Sequence, residues 1–153
     1  MKKVFVLLFA VVALSFAGNA QHAIGVRGAF GNSTAAELSY QQALGSANRL
    51  ELDLGWHNYT EHGTYFNLTG IYQWNWNISG GLGWYVGLGA NAGLYTGKYQ
   101  DDNFGIGLDG QIGIEYKFSI PLQVSLDFRP QMDFLGHASG FGLGIALSLR
   151  YCF

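Results

Sequence analysis

Residues 141–153, FGLGIALSLRYCF, alternate strictly between two kinds of side chain. The bulky apolar set consists of Phe141, Leu143, Ile145, Leu147, Leu149, Tyr151 and Phe153. The small or polar set consists of Gly142, Gly144, Ala146, Ser148, Arg150 and Cys152. Because successive side chains of a strand point to opposite faces, this period of two predicts a β-strand with one apolar and one polar face.

The same alternation recurs from Gln21 onward, and no helical periodicity is apparent. In residues 49–57, for example, three leucines and Trp56 share one face, whereas Arg49, Glu51 and Asp53 share the other. We predict eight strands, near residues 22–31, 35–44, 48–57, 64–76, 81–95, 103–118, 121–134 and 140–153. The segments between them are rich in Gly, Asn, Ser and Asp, which favours turns.

The composition limits the possible classes of protein. The 153 residues are 49% hydrophobic, 16% aromatic and only 12% charged, with 23 glycines. One domain is expected, with too few charges for an ordinary soluble protein and too much apolar area for a disordered one. The basic residues do not cluster and the net charge is -2, which excludes a nucleic-acid footprint. Since Cys152 is the single cysteine, an internal disulfide or thiolate cluster is excluded, and no cofactor is predicted.

The first twenty residues have the pattern of a secretory signal. Lys2 and Lys3 precede an apolar run over residues 4–16, and small residues follow at positions 18 and 20. We predict cleavage before Gln21, which leaves residues 21–153 as the barrel domain. The run is shorter than the roughly 20 residues that a membrane-spanning helix needs. The residue directly after the cleavage position is Gln21 and not a cysteine, so a lipoprotein is excluded.

The size of the apolar faces decides which side of the strands points outward. They carry about forty bulky side chains, whereas the interior of an eight-stranded barrel is only just wide enough to be filled by side chains. A solvated exterior would carry many lysines, yet beyond residue 20 only Lys98 and Lys117 occur. We therefore predict an all-β, eight-stranded antiparallel up-and-down transmembrane β-barrel, apolar outside and polar inside. Aromatic residues gather near the strand ends, as interfacial girdles require: Phe30, Trp56, Phe66, Trp74, Trp76, Trp84, Tyr116, Phe118, Phe134, Tyr151 and Phe153.

Over residues 21–153 this pattern resembles the small OmpA/OmpX type of Gram-negative outer-membrane barrel, within the wider porin family. The last strand, ending in Phe153, is similar to the sorting signal that the barrel-assembly machinery reads in that class. The Ala20-Gln21 junction and residues 127–130, DFRP, look like Bacteroidetes members. The resemblance implies a monomer in the outer membrane, reached by signal-peptide export, in contact with membrane lipid and lipopolysaccharide. It also implies periplasmic termini and outward connections near 31–35, 57–64, 95–103 and 134–140.

Twelve charged residues are predicted to face the lumen and form its polar core. They are Arg27, Glu37, Arg49, Glu51, Asp53, Asp109, Glu115, Lys117, Asp127, Arg129, Asp133 and Arg150. Because five basic and seven acidic groups nearly balance, we expect salt bridges that close the barrel, since buried charges persist only when paired. The individual pairs cannot be read from one sequence, and an open ion path is the alternative.

Inward-facing glycines in strands five, six and eight allow two interpretations. They are Gly87, Gly89, Gly93, Gly105, Gly107, Gly142 and Gly144. They either leave a small-ligand pocket or narrow channel open to the outside, or make room for Tyr85, Tyr95 and long arginines.

A catalytic interpretation rests on His137 and Ser139, which resemble the His-x-Ser element of outer-membrane lipid A deacylases. In that family a histidine acts as the base for a serine nucleophile. This chain has Gly140 where the family has Asn, and no acidic residue follows Ser139. We therefore predict a structural or surface-interaction protein and no enzyme, with a lipid A-modifying hydrolase as the alternative.

One segment between predicted strands contains candidate metal ligands, but no metal site is predicted there. His57, Glu61 and His62 lie close together there, but histidines at this spacing in a polar loop favour solvation over coordination.

Overall fold

The computed structural model describes residues 22–31, 35–59, 63–97, 100–135 and 140–153. These form eight strands: β1 His22–Gly31, β2 Ala35–Ala43, β3 Asn48–Tyr59, β4 Gly63–Ser79, β5 Leu82–Gly97, β6 Gln100–Lys117, β7 Leu122–Leu135 and β8 Gly140–Cys152. Each strand pairs antiparallel with its neighbours in the chain, and β1 pairs with β8, so the sheet closes into a barrel. The predicted fold class is confirmed. The predicted signal peptide lies outside the described residues.

The barrel closes where β1 begins and β8 ends. The β1–β8 register runs from Ala23 opposite Cys152 to Gly31 opposite Gly144. The His22 amide donates to the Phe153 carbonyl at 3.0 Å, and the Phe153 amide returns a bond to His22 at 2.8 Å. Closure gives every strand two partners and leaves no sheet edge unpaired. We call this end of the barrel proximal and the opposite end distal.

The β4–β5 hairpin turns at the proximal end through Gly80 and Gly81. Gly80 has a φ of 57°, a conformation that side-chain-bearing residues rarely adopt, and its carbonyl accepts a 2.8 Å bond from Asn77 Nδ2. Because this turn is so short, β4 extends to Ser79 rather than ending near residue 76 as predicted.

The two faces of the sheet have opposite polarity. The outer face exposes large apolar side chains such as Leu88, Phe141 and Leu147. The fully buried side chains of the described residues are mainly polar or charged and face the lumen. Within those same ranges, the structure contains no helix of the length and apolar character needed to cross a membrane.

The β6–β7 ladder is interrupted near its middle. Pairing holds at Asp109 opposite Gln131 and again at Ile112 opposite Phe128. Between them lies Pro130, which has no amide hydrogen to give to the ladder. Gly110 faces this proline, and a Cβ atom on Gly110 would lie 3.2 Å from the proline ring. The absence of a side chain on Gly110 therefore accommodates Pro130 within the sheet.

Candidate functional site

The lumen holds the charged residues predicted for the polar core. Ten of the twelve are buried: Arg27, Glu37, Arg49, Glu51, Asp53, Asp109, Glu115, Asp127, Arg129 and Arg150. Asp133 is half-buried in β7. Lys117, at the proximal end of β6, leaves 42% of its side chain exposed and lies 3.9 Å from Glu115. Lys117 is thus at the edge of the lumen rather than inside it.

Glu51 is fully buried and binds four donors from four other strands. Its Oε2 accepts from Arg150 Nη2 at 2.9 Å and from Gln41 Nε2 at 2.5 Å. Its Oε1 accepts from Arg129 Nη2 at 3.0 Å and from Gln111 Nε2 at 3.1 Å. Gln41 stands directly opposite Glu51 in the β2–β3 register, whereas Arg150 and Arg129 reach it across the lumen. Both oxygens of this buried carboxylate are therefore compensated.

Arg150 is fully buried and binds side chains from three other strands. Its Nε donates to Ser39 Oγ at 2.9 Å in β2, and its Nη1 donates to Ser125 Oγ at 2.8 Å in β7. Its Nη2 forms a salt bridge with Glu51 in β3. The planar guanidinium suits this role because its donors are held in a rigid fork.

Two further arginines share the carboxylate of Glu37. Arg27 lies 2.5 Å from Glu37 Oε2 and 2.6 Å from Asp127 Oδ1. Arg129 lies 3.6 Å from the same Glu37 oxygen and 2.5 Å from Asp53 Oδ2. Alternation of positive and negative groups in this way keeps each charge next to its opposite.

Arg49 extends the cluster toward the proximal end. It lies 2.6 Å from Glu115, donates to Gln73 and stands 4.8 Å over the ring of Tyr85. Gln73 Nε2 donates in turn to Gln111 Oε1 at 2.5 Å, and Gln111 binds Glu51. We call these linked side chains the central network. All eight strands contribute to it: Arg27, Glu37, Ser39, Gln41, Arg49, Glu51, Asp53, Gln73, Tyr85, Gln111, Glu115, Ser125, Asp127, Arg129 and Arg150.

Asp109 and Asp133 share a neutral amide donor, and Arg129 acts on Asp109 only at longer range. Asn91 Nδ2 donates to Asp109 Oδ1 at 3.1 Å and to Asp133 Oδ1 at 3.2 Å. Gln131 Nε2 contacts both oxygens of Asp133 at 2.9 Å. Within the described ranges neither carboxylate forms an ion pair. We call Asn91, Asp109 and Asp133 the distal acidic cluster. The sequence reasoning did not identify Asn91, although its inward parity in β5 was a usable signal.

Several of the predicted lumen glycines face side chains rather than open space. A Cβ atom on Gly87 would collide with the Ile71 side chain, and one on Gly93 would collide with the Tyr65 hydroxyl. On Gly89 it would collide first with the backbone carbonyl oxygen of Gly70 and then with Ile71. On Gly107 it would collide with Asp133. These positions make room for neighbours and do not line a pocket, so for them the pocket interpretation is wrong.

At two β8 positions the space around the glycine is more open. A Cβ atom on Gly142 would have nothing within 4 Å, and one on Gly144 would meet only backbone oxygens at 3.8 and 3.9 Å.

The two tyrosines for which the glycines were predicted to make room have different outcomes. Tyr85 occupies space beside Gly113, a glycine outside the predicted pocket set. The side chain of Tyr95 is not among those described.

The candidate catalytic residues His137 and Ser139 lie outside the described residues, as do Glu61 and His62. In the part of the chain that the structure describes, no three His, Cys, Asp or Glu side chains converge as a metal site.

Neither a protein-family model nor a curated protein matches this chain, but solved structures do. The β-barrel domain of Pseudomonas aeruginosa OprF is 17% identical with a TM-score of 0.63, covering 86% of this chain and 97% of that one. Neisserial surface protein A is 12% identical with a TM-score of 0.64, covering 88% and 96%. A major outer membrane protein from Thermus thermophilus is 11% identical with a TM-score of 0.65, covering 89% and 100%.

The chain has the fold of a small outer-membrane β-barrel. This confirms the architecture that the resemblance implied, since the compared barrels are matched over nearly their whole lengths. A de novo designed transmembrane β-barrel also matches, with 16% identity and a TM-score of 0.58. The fold is therefore reached by very different sequences, and it does not by itself assign a function. The Bacteroidetes assignment remains a prediction.

Proposed function

We propose that this chain is an integral outer-membrane β-barrel whose lumen is closed by the central network, and that it acts as a structural or surface-contact protein without catalysis. The observation that carries the proposal is the reversed polarity of the barrel. Apolar side chains cover its outside, while Glu51 and Arg150 in its interior are completely inaccessible to solvent. This distribution suits a lipid environment around a polar, filled core.

The dimensions of the apolar exterior support residence in a membrane. Phe141 and Tyr151 lie ten positions apart on the outer face of β8. At about 3.3 Å per residue and a tilt of about 40°, this spacing covers roughly 25 Å along the barrel axis, which matches the apolar band of such barrels.

Aromatic pairs form a belt at the proximal end of this band. Trp76 stacks on Trp84 with ring centroids 4.6 Å apart, and Tyr116 meets Phe118 edge-on at 4.8 Å. Amphipathic rings of this kind favour the boundary between lipid and water.

The central network favours a closed lumen over an open channel. An ion crossing the lumen at the level of Glu51 would have to separate that carboxylate from Arg129 or Arg150. Breaking one buried pair leaves an uncompensated charge and costs about 3–5 kcal/mol. Because these contacts bind several strands at once, the separation would also disturb the barrel wall.

Insertion and conductance test the proposal together. The folded protein should migrate faster than its boiled form on a gel and resist proteolysis in phospholipid vesicles. In a planar bilayer it should give no stable conductance. Reproducible single-channel steps from the folded protein would overturn the closed lumen, and failure to insert would overturn membrane residence.

The absence of catalysis has a separate test in cells that express the protein. Lipid A mass spectra should be the same for cells lacking the protein, expressing it, and expressing the Ser139→Ala variant. A loss of acyl chains that requires Ser139 would overturn this part of the proposal.

A further inference from the structure

The distal acidic cluster departs from the charge balance of the rest of the lumen. The other buried carboxylates of the described residues each contact an arginine: Glu37, Glu51, Asp53, Glu115 and Asp127. Asp109 is equally buried, at 1% exposure, yet its carboxylate receives a neutral amide donor. Burial of a carboxylate without a compensating cation is costly. Among the described residues no cationic group contacts the cluster, and Arg129 acts on Asp109 only at longer range.

Two oxygen atoms in this cluster are buried and accept no hydrogen bond from the protein. One is Asp109 Oδ2, and the other is Oδ1 of Asn91, a residue that is 3% exposed. The amide nitrogen of Asn91 lies between the two carboxylates. A half-turn of this amide exchanges its nitrogen and oxygen positions. After that rotation the carbonyl oxygen of Asn91 would face both Asp109 and Asp133.

The backbone around the cluster leaves room for the groups to meet. Gly107 stands opposite Asn91 in β5 and opposite Asp133 in β7. A Cβ atom there would collide with Asp133 Oδ1 and lie 2.7 Å from Asn91 Nδ2. Across the β6–β7–β8 register, Gln131 pairs with both Asp109 and Gly142. Open space at Gly142 lies next to the cluster along this row.

We propose that Asp109, Asp133 and Asn91 form a binding site for a hard divalent cation, Ca²⁺ in particular, in the distal half of the lumen. Two carboxylates and a carbonyl oxygen are the ligand types that Ca²⁺ prefers, and its flexible coordination accepts an incomplete protein shell. Water in the space near Gly142 would complete the shell. The cation would supply the positive charge that arginines supply in the central network. This inference goes beyond the proposed function, because it requires the folded lumen but neither membrane residence nor a closed pore.

The test measures Ca²⁺ binding to the folded protein in detergent after removal of metals with EDTA. Isothermal titration with CaCl₂ should show one site per chain, and Ca²⁺ should raise the thermal unfolding midpoint. The Asp109→Asn and Asp133→Asn variants should each bind at least about tenfold more weakly. MgCl₂ should bind more weakly than CaCl₂, since Mg²⁺ demands a stricter octahedral shell.

Glu115→Gln is the matched control, because it removes the same charge from the proximal side of the lumen. It should retain the Ca²⁺ affinity of the unchanged protein within about threefold, a difference below about 1 kcal/mol. Gel migration before and after boiling establishes that each variant is folded. Asp133 is only half-buried, so its variant is a second route to an answer where Asp109→Asn does not fold.

Three results would overturn the proposal. The first is a folded protein that neither binds Ca²⁺ nor gains thermal stability at millimolar concentrations. The second is an Asp109→Asn variant that binds as tightly as the unchanged protein. The third is equal loss of binding in Glu115→Gln, which would indicate diffuse attraction to the lumen charge. Because folding is measured separately, none of these results bears on membrane insertion.

Discussion

The central network and the distal acidic cluster stabilise their carboxylates in different ways. Glu51 is compensated by two arginines and two glutamines that come from four strands. Asp109 and Asp133 instead share the amide nitrogen of one asparagine. Burial alone therefore does not determine how a carboxylate is stabilised. An arginine in direct contact supplies both hydrogen bonds and charge, whereas the amide of Asn91 supplies hydrogen bonds alone and leaves Asp109 with Arg129 only at longer range.

Loss of Arg150 from the central network should change the free energy of unfolding the most. Arg150→Leu removes one cation from Glu51 and unlinks Ser39 and Ser125, so the free energy of unfolding should fall by about 3–5 kcal/mol. Urea titration of the folded protein in vesicles measures this change. Lys117→Met, at the exposed end of the lumen, is the control and should change it by less than about 0.5 kcal/mol. Equal effects of the two variants would mean that the central network contributes no special stability.

A lysine on the outer face should have a smaller effect that depends on depth. Leu147 lies near the middle of β8 at the level of the central network, and Phe141 lies at its distal end. Leu147→Lys should cost about 2–4 kcal/mol in a bilayer, and Phe141→Lys about 0–1 kcal/mol. Unfolding in phosphatidylcholine vesicles separates the two. A cost that does not depend on position would argue that lipid does not surround the barrel at these levels.

A methyl group at Gly107 should disturb the distal acidic cluster directly. Gly107→Ala drives a Cβ atom into Asp133 and Asn91 and should cost about 1–3 kcal/mol of unfolding free energy. Gly142→Ala adds the same atom where nothing lies within 4 Å, and it should change stability by less than about 0.5 kcal/mol. Thermal unfolding of both variants in detergent checks this difference. If the two variants unfold alike, Asp133 and Asn91 do not meet over Gly107.

Neutralisation of Asp109 should have the smallest effect, with the opposite sign to the loss of Arg150. Asp109→Asn removes a buried charge that contacts no cation among the described residues, so in EDTA it should raise the free energy of unfolding by about 1 kcal/mol. Saturating Ca²⁺ should stabilise the unchanged protein and remove this advantage. Chemical unfolding in both buffers measures the two differences. Strong destabilisation in EDTA would instead reveal a cationic partner for Asp109 and erase the contrast between the two regions.

The architecture and the direction of each face could be predicted from the sequence, because they depend on local periodicity. The alternation in residues 141–153 predicted β8, and β1 begins and ends at the predicted residues. The burial of Glu51 and Arg150 follows from the same parity, together with a barrel too narrow to hold the apolar faces. The ends of β4 and β6 were less accurate, because polar residues near hairpins can still pair as strand.

Only the tertiary structure decided which groups meet inside the lumen. Arg150 and Glu51 lie 99 positions apart and on strands that do not pair, so no local pattern links them. The same holds for Asp133 and Asn91, whose contact requires the bare backbone of Gly107 between them. Sequence parity determines that a charge faces inward. The register and closure of the barrel then determine whether a guanidinium or an amide stands opposite, because long side chains cross the lumen between distant strands.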